Sequence, residues 1–205
     1  MLFRHVMALT AALVAFAVCA PASALDYGFK DLLRGPGAPR AGATDPDVII
    51  VMYADYNCGY CKRMEPVLAN ALKADRRLAV VHKEWPIFGD VSEHAARVAL
   101  AANYQGRYDA VHRAFMLSPT RLSDKDMVDT VAKQAGVDWA RLTRDLKAHG
   151  GDIDAILMRN EREAALLRLE GTPGLVINGY LIRGALSDDQ LKDVLQKIRT
   201  ERPKP

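Results

Sequence analysis

The sequence predicts an α/β chain in which a β-α-β unit and a C-terminal β-β-α unit are separated by a long helical insertion. Three observations carry this. Val48 to Ala54 and Leu78 to Glu84 read as buried strands, rich in β-branched residues, with a helical pattern between them. Residues 91–170 carry no strand signal and show several helical patterns instead. Asn178-Gly179 then separates two short apolar runs, the strongest local signature of a hairpin.

Taken in order, residues 1–24 read as a cleavable export signal. Arg4 and His5 precede an apolar stretch from Val6 to Ala20, and Pro21-Ala22-Ser23-Ala24 ends in a small-x-small pattern. The stretch is shorter than the ~20 residues a membrane-spanning helix needs. A retained anchor and a lipid attached at Cys19 are the disfavoured alternatives, the latter because Val18 is bulky for the residue before a lipidated cysteine. Residues 25–47 form a weakly structured lead-in. It holds a short helix at 26–34, broken by Gly35-Pro36-Gly37-Ala38-Pro39.

The first strand is followed by a helix from about Cys58 to about Lys73 with Pro66 inside it. The second strand is closed by Trp85-Pro86, and the short β-α-β order makes the two strands parallel. In the insertion, helices are expected at Ser92–Tyr104 and Arg107–Leu117, after a capping box at Ser123–Asp126, at Trp139–His149, and, capped by Asp152, from Ile153 to Glu170 ending at Gly171. Leu175-Val176-Ile177 and Tyr180-Leu181-Ile182 form the hairpin, and Ser187-Asp188-Asp189-Gln190 caps a terminal helix. Residues 48–90 with 171–205 therefore make the main domain, and 91–170 the insertion.

Composition excludes several classes. Of 205 residues, 50% are hydrophobic and 26% charged, which is ordinarily globular. The net charge of +3 is small and dispersed, so no nucleic-acid partner is expected. Of three cysteines, Cys19 leaves with the leader, and Cys58-Gly59-Tyr60-Cys61 is the remaining thiol inventory.

A C-x-x-C has several readings. As a staple it is weak, since a loop so short gives about 2 kcal/mol against about 4.7 kcal/mol for a 100-residue loop. As half a zinc site it lacks two further ligands, because His82, His94, His112 and His149 form no i, i+3 or i, i+4 pair; no metal and no cofactor are expected. Context favours redox chemistry. Cys58 follows a buried strand and opens a helix, whose free N–H groups and dipole favour a thiolate, while Cys61 lies one turn further in. Cys58 would exchange with substrate and Cys61 resolve the mixed disulfide, with Gly59 and Tyr60 tuning the pair.

In these residues the chain resembles the DsbA family of thioredoxin-fold thiol-disulfide oxidoreductases. The resemblance rests on Cys58-Gly59-Tyr60-Cys61-Lys62 after a strand, Pro66 in the helix, the helical insertion, and Gly171-Thr172-Pro173 before the hairpin. Asp55-Tyr56-Asn57 and Lys83-Glu84-Trp85-Pro86-Ile87-Phe88-Gly89 are similar to the branch that includes ScsC. It implies a thioredoxin-like fold, a periplasmic location, and a cis-proline loop at Thr172-Pro173 facing the cysteines and pairing with an extended substrate segment. The partners it implies are unfolded or partly folded exported proteins and a membrane redox partner. One departure stands out: Met52 occupies the position where family members carry a buried carboxylate.

Asp55 and Glu84 could substitute for that carboxylate, but each reads first as a solvated strand-end charge. His94 and His112 read as partly exposed helix residues, and Met116, Met127 and Met158 as insertion core. Trp85 and Tyr60 could offer apolar surface beside the cysteines, and Trp85 could equally close its strand. The direction of exchange stays open between oxidase and isomerase or reductase. The lead-in is too short for a dimerisation domain, so a monomer is expected and oxidase is favoured. A non-redox peptide-binding chaperone and a Cu(I)-handling module are the rivals from other classes.

Overall fold

The chain enters the sheet through a strand that the sequence does not announce. β1 (Arg40–Gly42) pairs antiparallel with β3 (Leu78–Glu84), Arg40 opposite Val81 and Gly42 opposite Ala79. It lies within the segment expected to be weakly structured. At three residues on the edge of the sheet it carries no apolar run, and its partner alone defines it. Gly42 is required there: its φ is +95°, and a Cβ would meet the Leu78 carbonyl oxygen at 2.4 Å. The computed structural model describes Gly28, Lys30, Leu32 and residues 37–201. The leader at 1–24 lies outside the described residues, as does most of the helix expected at 26–34, of which Lys30 and Leu32 are helical.

β2 (Val48–Ala54) runs parallel to β3 and antiparallel to β4 (Gly174–Ile177), which turns back into β5 (Tyr180–Arg183); the order is β1-β3-β2-β4-β5. Both faces of β2 are covered, which is why its sequence is continuously apolar. Val48, Ile50, Met52 and Ala54 face one core and Val51 and Tyr53 the other. The turn is the expected one, with Asn178 at φ 46° and Gly179 at φ 95°. The Asn178 side chain also accepts from Ile49 N at 2.9 Å and donates to the Asp47 carbonyl at 3.0 Å, tying the hairpin to the start of β2.

The first core is closed by α1 (Gly59–Ala74) and the C-terminal α7 (Asp188–Glu201). α1 buries Cys61, Met64, Val67 and Leu68, an i, i+3, i+4 stripe. The expected capping box on α7 is reciprocal: Ser187 Oγ accepts from Gln190 N, and Gln190 Oε1 accepts from Ser187 N. The insertion comprises α2 (Asp90–Asn103), α3 (Tyr108–Met116), α4 (Lys125–Gln134), α5 (Trp139–Ala148) and α6 (Gly150–Leu166). The alanines of α2 let the other four helices pack close around it. Asp124, rather than Ser123, caps α4 by accepting from Met127 N. Met116 is buried and Met127 packs against the core, but Met158 points outward and is 55% exposed, so it is not part of the insertion core.

α6 differs from expectation at both ends. It starts at Gly150, so Asp152 sits in its first turn instead of capping it, and it stops at Leu166 rather than at Gly171. Arg168 takes the left-handed conformation, φ 52°, with Leu169 N bonded to Ala164 O and Arg168 N to Ala165 O. That is a Schellman stop with arginine where glycine is usual, which hid it in the sequence. The stop turns Leu169 into the second core, with Leu32, Trp85 and Ala164. On the same sheet face, Lys83 and Glu163 form a fully buried ion pair, Nζ to Oε2 2.8 Å, and the Tyr53 hydroxyl donates to Glu163 at 2.9 Å.

Candidate active site

Cys58 sits at the N-cap of α1 in an extended backbone conformation, where it can accept from the helix's free N–H groups. Its sulfur accepts from Cys61 N at 3.4 Å, and its thiol donates to the Thr172 carbonyl at 3.1 Å. The strand end, the helix start and the loop before β4 therefore meet at one sulfur. Thr172-Pro173 is the cis peptide among the described residues. Both cysteines carry free thiols.

The two thiols are driven apart. The Cys61 thiol bonded to its sulfur lowers the Cys58 pKa most, followed by the Thr172 side chain and the Cys61 and Tyr60 N–H groups, and together they outweigh burial and bring it to about 5. Burial first, and then the bond to Cys58, push the Cys61 thiol far above its usual range. Cys58 is thus a thiolate at neutral pH and Cys61 a protonated thiol. Gly59 and Tyr60 between them are exposed. Tyr60 is 60% exposed, with the Arg63 guanidinium 4.2 Å from its ring centre.

The three residues before Cys58 hold the loop, each anchoring to a different part of the chain. Asp55 accepts four bonds: from Asn57 N (2.7 Å), Ser92 Oγ (2.8 Å), Ile87 N (2.7 Å) and Phe88 N (3.0 Å). Tyr56 donates to Glu84 at 2.7 Å, and Asn57 pairs through its amide with both backbone groups of Leu122. Lys62 adds a fourth tether, donating to the carbonyls of Phe115, Ser118 and Thr120 at and beyond the end of α3.

Several of these contradict the sequence reading. Asp55 and Glu84 are 1% and 2% exposed, not solvated. His112 is 2% exposed, not partly exposed. Glu84 lies in a polar knot beneath the loop, accepting from Tyr56 and Tyr108, with His112 Nδ1 3.0 and 3.2 Å from those two hydroxyls and His112 Nε2 3.2 Å from Glu65. Burial raises the Glu84 carboxyl, against the opposing pull of His112 and the two hydroxyls. His94 is half-buried and bonded to Asp129, as expected. Trp85 closes the strand end, buried in the second core with its N–H on Glu161. Met52 is wholly buried in the core that contains both cysteines, so no carboxylate stands at that position. The available hint of the knot was His82-Lys83-Glu84, three polar residues ending an apolar strand.

The chain matches the model of a family described as DSBA-like thioredoxin domain over residues 49–196. It superposes on a thioredoxin-like oxidoreductase from Silicibacter pomeroyi DSS-3 with a TM-score of 0.79 and 34% identity, covering 85% of this chain and 99% of that one. With the thiol-disulfide exchange protein alpha-DsbA2 from Wolbachia pipientis the TM-score is 0.76 at 25% identity, covering 83% and 91%. Among curated proteins it is 27% identical over 171 residues to the Na(+)/H(+) antiporter NhaA 3 of Salinispora tropica. That match takes in 79% of this chain but 24% of the antiporter, so the chain spans less than a quarter of its curated relative. The family match runs through the sheet, the Cys58–Cys61 helix and the insertion alike, and the chain belongs to the DSBA-like thioredoxin domain family, with the fold of its thiol-disulfide oxidoreductases.

Proposed function

We propose that this chain is an exported, periplasmic, monomeric oxidase that passes the Cys58–Cys61 disulfide to unfolded or partly folded proteins. The observation that carries the reading is the separation of the two thiols, with Cys58 held near pKa 5 and Cys61 pushed the other way. A thiolate that comfortable stabilises the reduced pair and makes Cys58 a good leaving group, so the disulfide is readily given up. In the forward step a substrate thiolate attacks Cys58 Sγ, the Cys58–Cys61 bond breaks, and Cys61 leaves and takes a proton. A second substrate thiolate then attacks its own chain's sulfur in the mixed disulfide and expels Cys58 as thiolate. The substrate loses two electrons and two protons, and the cysteine pair gains the electrons. A membrane redox partner must remove them again. The Thr172 backbone beside Cys58 offers main-chain groups to an extended segment, a mode that tolerates many sequences.

The test is the steady-state redox state of the pair in cells, read by acid quench and thiol alkylation of the exported protein. An oxidase is expected mostly as disulfide. A mostly dithiol pool would overturn the oxidase direction and point to an isomerase or reductase kept charged by a reducing partner.

A further inference from the structure

Two arginines near the cysteine pair rest on exposed aromatic rings. The Arg63 guanidinium lies 4.2 Å from the centre of the Tyr60 ring, and Arg121 lies 5.7 Å from that of Phe88. Both arginines are exposed, and the rings are 60% and 46% exposed. Neither guanidinium takes part in an ion pair among the described residues, in contrast to Arg97 and Arg199, which are held by carboxylates.

Their placement is fixed by the loop that carries Cys58. Tyr60 and Arg63 follow it on α1. Phe88 is held by its N–H on Asp55, and Asp55 O accepts from Cys58 N. Arg121 precedes Leu122, whose backbone is clamped on both sides by Asn57. Two cation–aromatic pairs therefore sit on elements tied to the same four-residue loop that ends in Cys58. The acids nearest in sequence do not neutralise them. Glu65 is buried against His112, Asp55 is buried and saturated by four donors, and Asp90 and Asp124 belong to the N-termini of α2 and α4, where helix dipoles favour negative charge. A ring beneath a guanidinium fixes its position and strips part of its hydration without cancelling its charge.

We propose that this rim selects cysteine-bearing segments that carry carboxylates beside the cysteines, the two guanidiniums pairing with the acids while Tyr60 and Phe88 pack on the segment. This rests on the thiol-exchange reading above and adds a substrate preference to it.

The test uses two peptides, identical except that the residues flanking a cysteine pair are Glu in one and Lys in the other, each with a neighbouring Phe. The protein is first oxidised with a small-molecule disulfide and desalted. Peptide oxidation, in which two thiols pass two electrons to the Cys58–Cys61 disulfide, is then followed by acid quench. At low ionic strength the Glu peptide is expected to react about tenfold faster than the Lys peptide. The ratio should fall close to one in 1 M salt, where screening reaches about 3 Å. It should also fall close to one in the R63Q/R121Q double variant and invert in R63E/R121E. A change in the intrinsic reactivity of Cys58 cancels in this ratio, because both peptides meet the same disulfide. Equal rates in the wild-type protein, or a ratio that survives the double variant, would overturn the selectivity while leaving exchange intact. Two inert peptides would overturn the exchange reading itself, and the selectivity with it.

Discussion

Replacing Cys58 with serine is expected to lower dithiol oxidation by about a thousandfold or more, to the level of the uncatalysed reaction. The protein should remain folded, because the hydroxyl can still cap α1. Cys61→Ser gives a different outcome. Its Cys58 can still attack one sulfur of a substrate disulfide and release the other as thiolate, but no neighbouring thiol resolves the product. A mixed disulfide should accumulate on Cys58 and be visible as a shifted band on non-reducing gels. Together the two variants separate attack from resolution. They also separate this chemistry from a peptide-holding chaperone, whose activity would survive Cys58→Ser.

The largest effect on stability is expected at Lys83, far from the thiols. Its ammonium is fully buried against Glu163, itself 1% exposed, with Tyr53 donating to the same carboxylate oxygen and Arg159 3.9 Å from the other. Burial pulls the Lys83 pKa down and Glu163 opposes that pull. Lys83→Met removes one charge and leaves Glu163 short of its closest cation, a change that costs about 3 kcal/mol or more when a buried pair is broken on one side. Lys83→Met with Glu163→Leu should recover most of the loss, because the remaining cost of the pair is its own desolvation. Urea denaturation of the wild type, both single variants and the double completes the cycle. A double variant no more stable than Lys83→Met would show that the pair's attraction exceeds its desolvation.

What could be read in the sequence had local causes. The C-x-x-C at a strand-to-helix junction, Thr172-Pro173, the Asn178-Gly179 turn and the Ser187–Gln190 capping box each depend on residues within a few positions of one another, and each stands where it was expected. What escaped depends on distance. Asp55 is buried because Ile87, Phe88 and Ser92 supply its donors, more than thirty residues away. His112 is buried because Tyr56, Glu84 and Glu65 converge on it from three elements. β1 exists because β3 pairs with it, and nothing in Arg40-Ala41-Gly42 signals that partner. The result is a division within the site. The residues proposed to react announce themselves, while the Asp55–Asn57 clamp, the Glu84 knot and the Lys62 tether around them appear only when the chain is folded.

This clamped geometry holds Cys58 as an anion at neutral pH, and its alkylation rate against pH measures that. The reduced protein is treated with iodoacetamide, an uncharged reagent, from pH 3.5 to 10, and modification is assigned to Cys58 by peptide mass. The rate is expected to rise through a midpoint at about 5 and to be flat from pH 7 upward. The linked stability has the same sign. A thiol whose folded pKa lies below its unfolded value, about 8.5, stabilises the reduced protein fully above that value and loses its contribution as pH falls toward 5. A midpoint near 8.5, with a rate still climbing between pH 7 and 9, would mean that an ordinary thiol, and not an anion, occupies the N-terminus of α1.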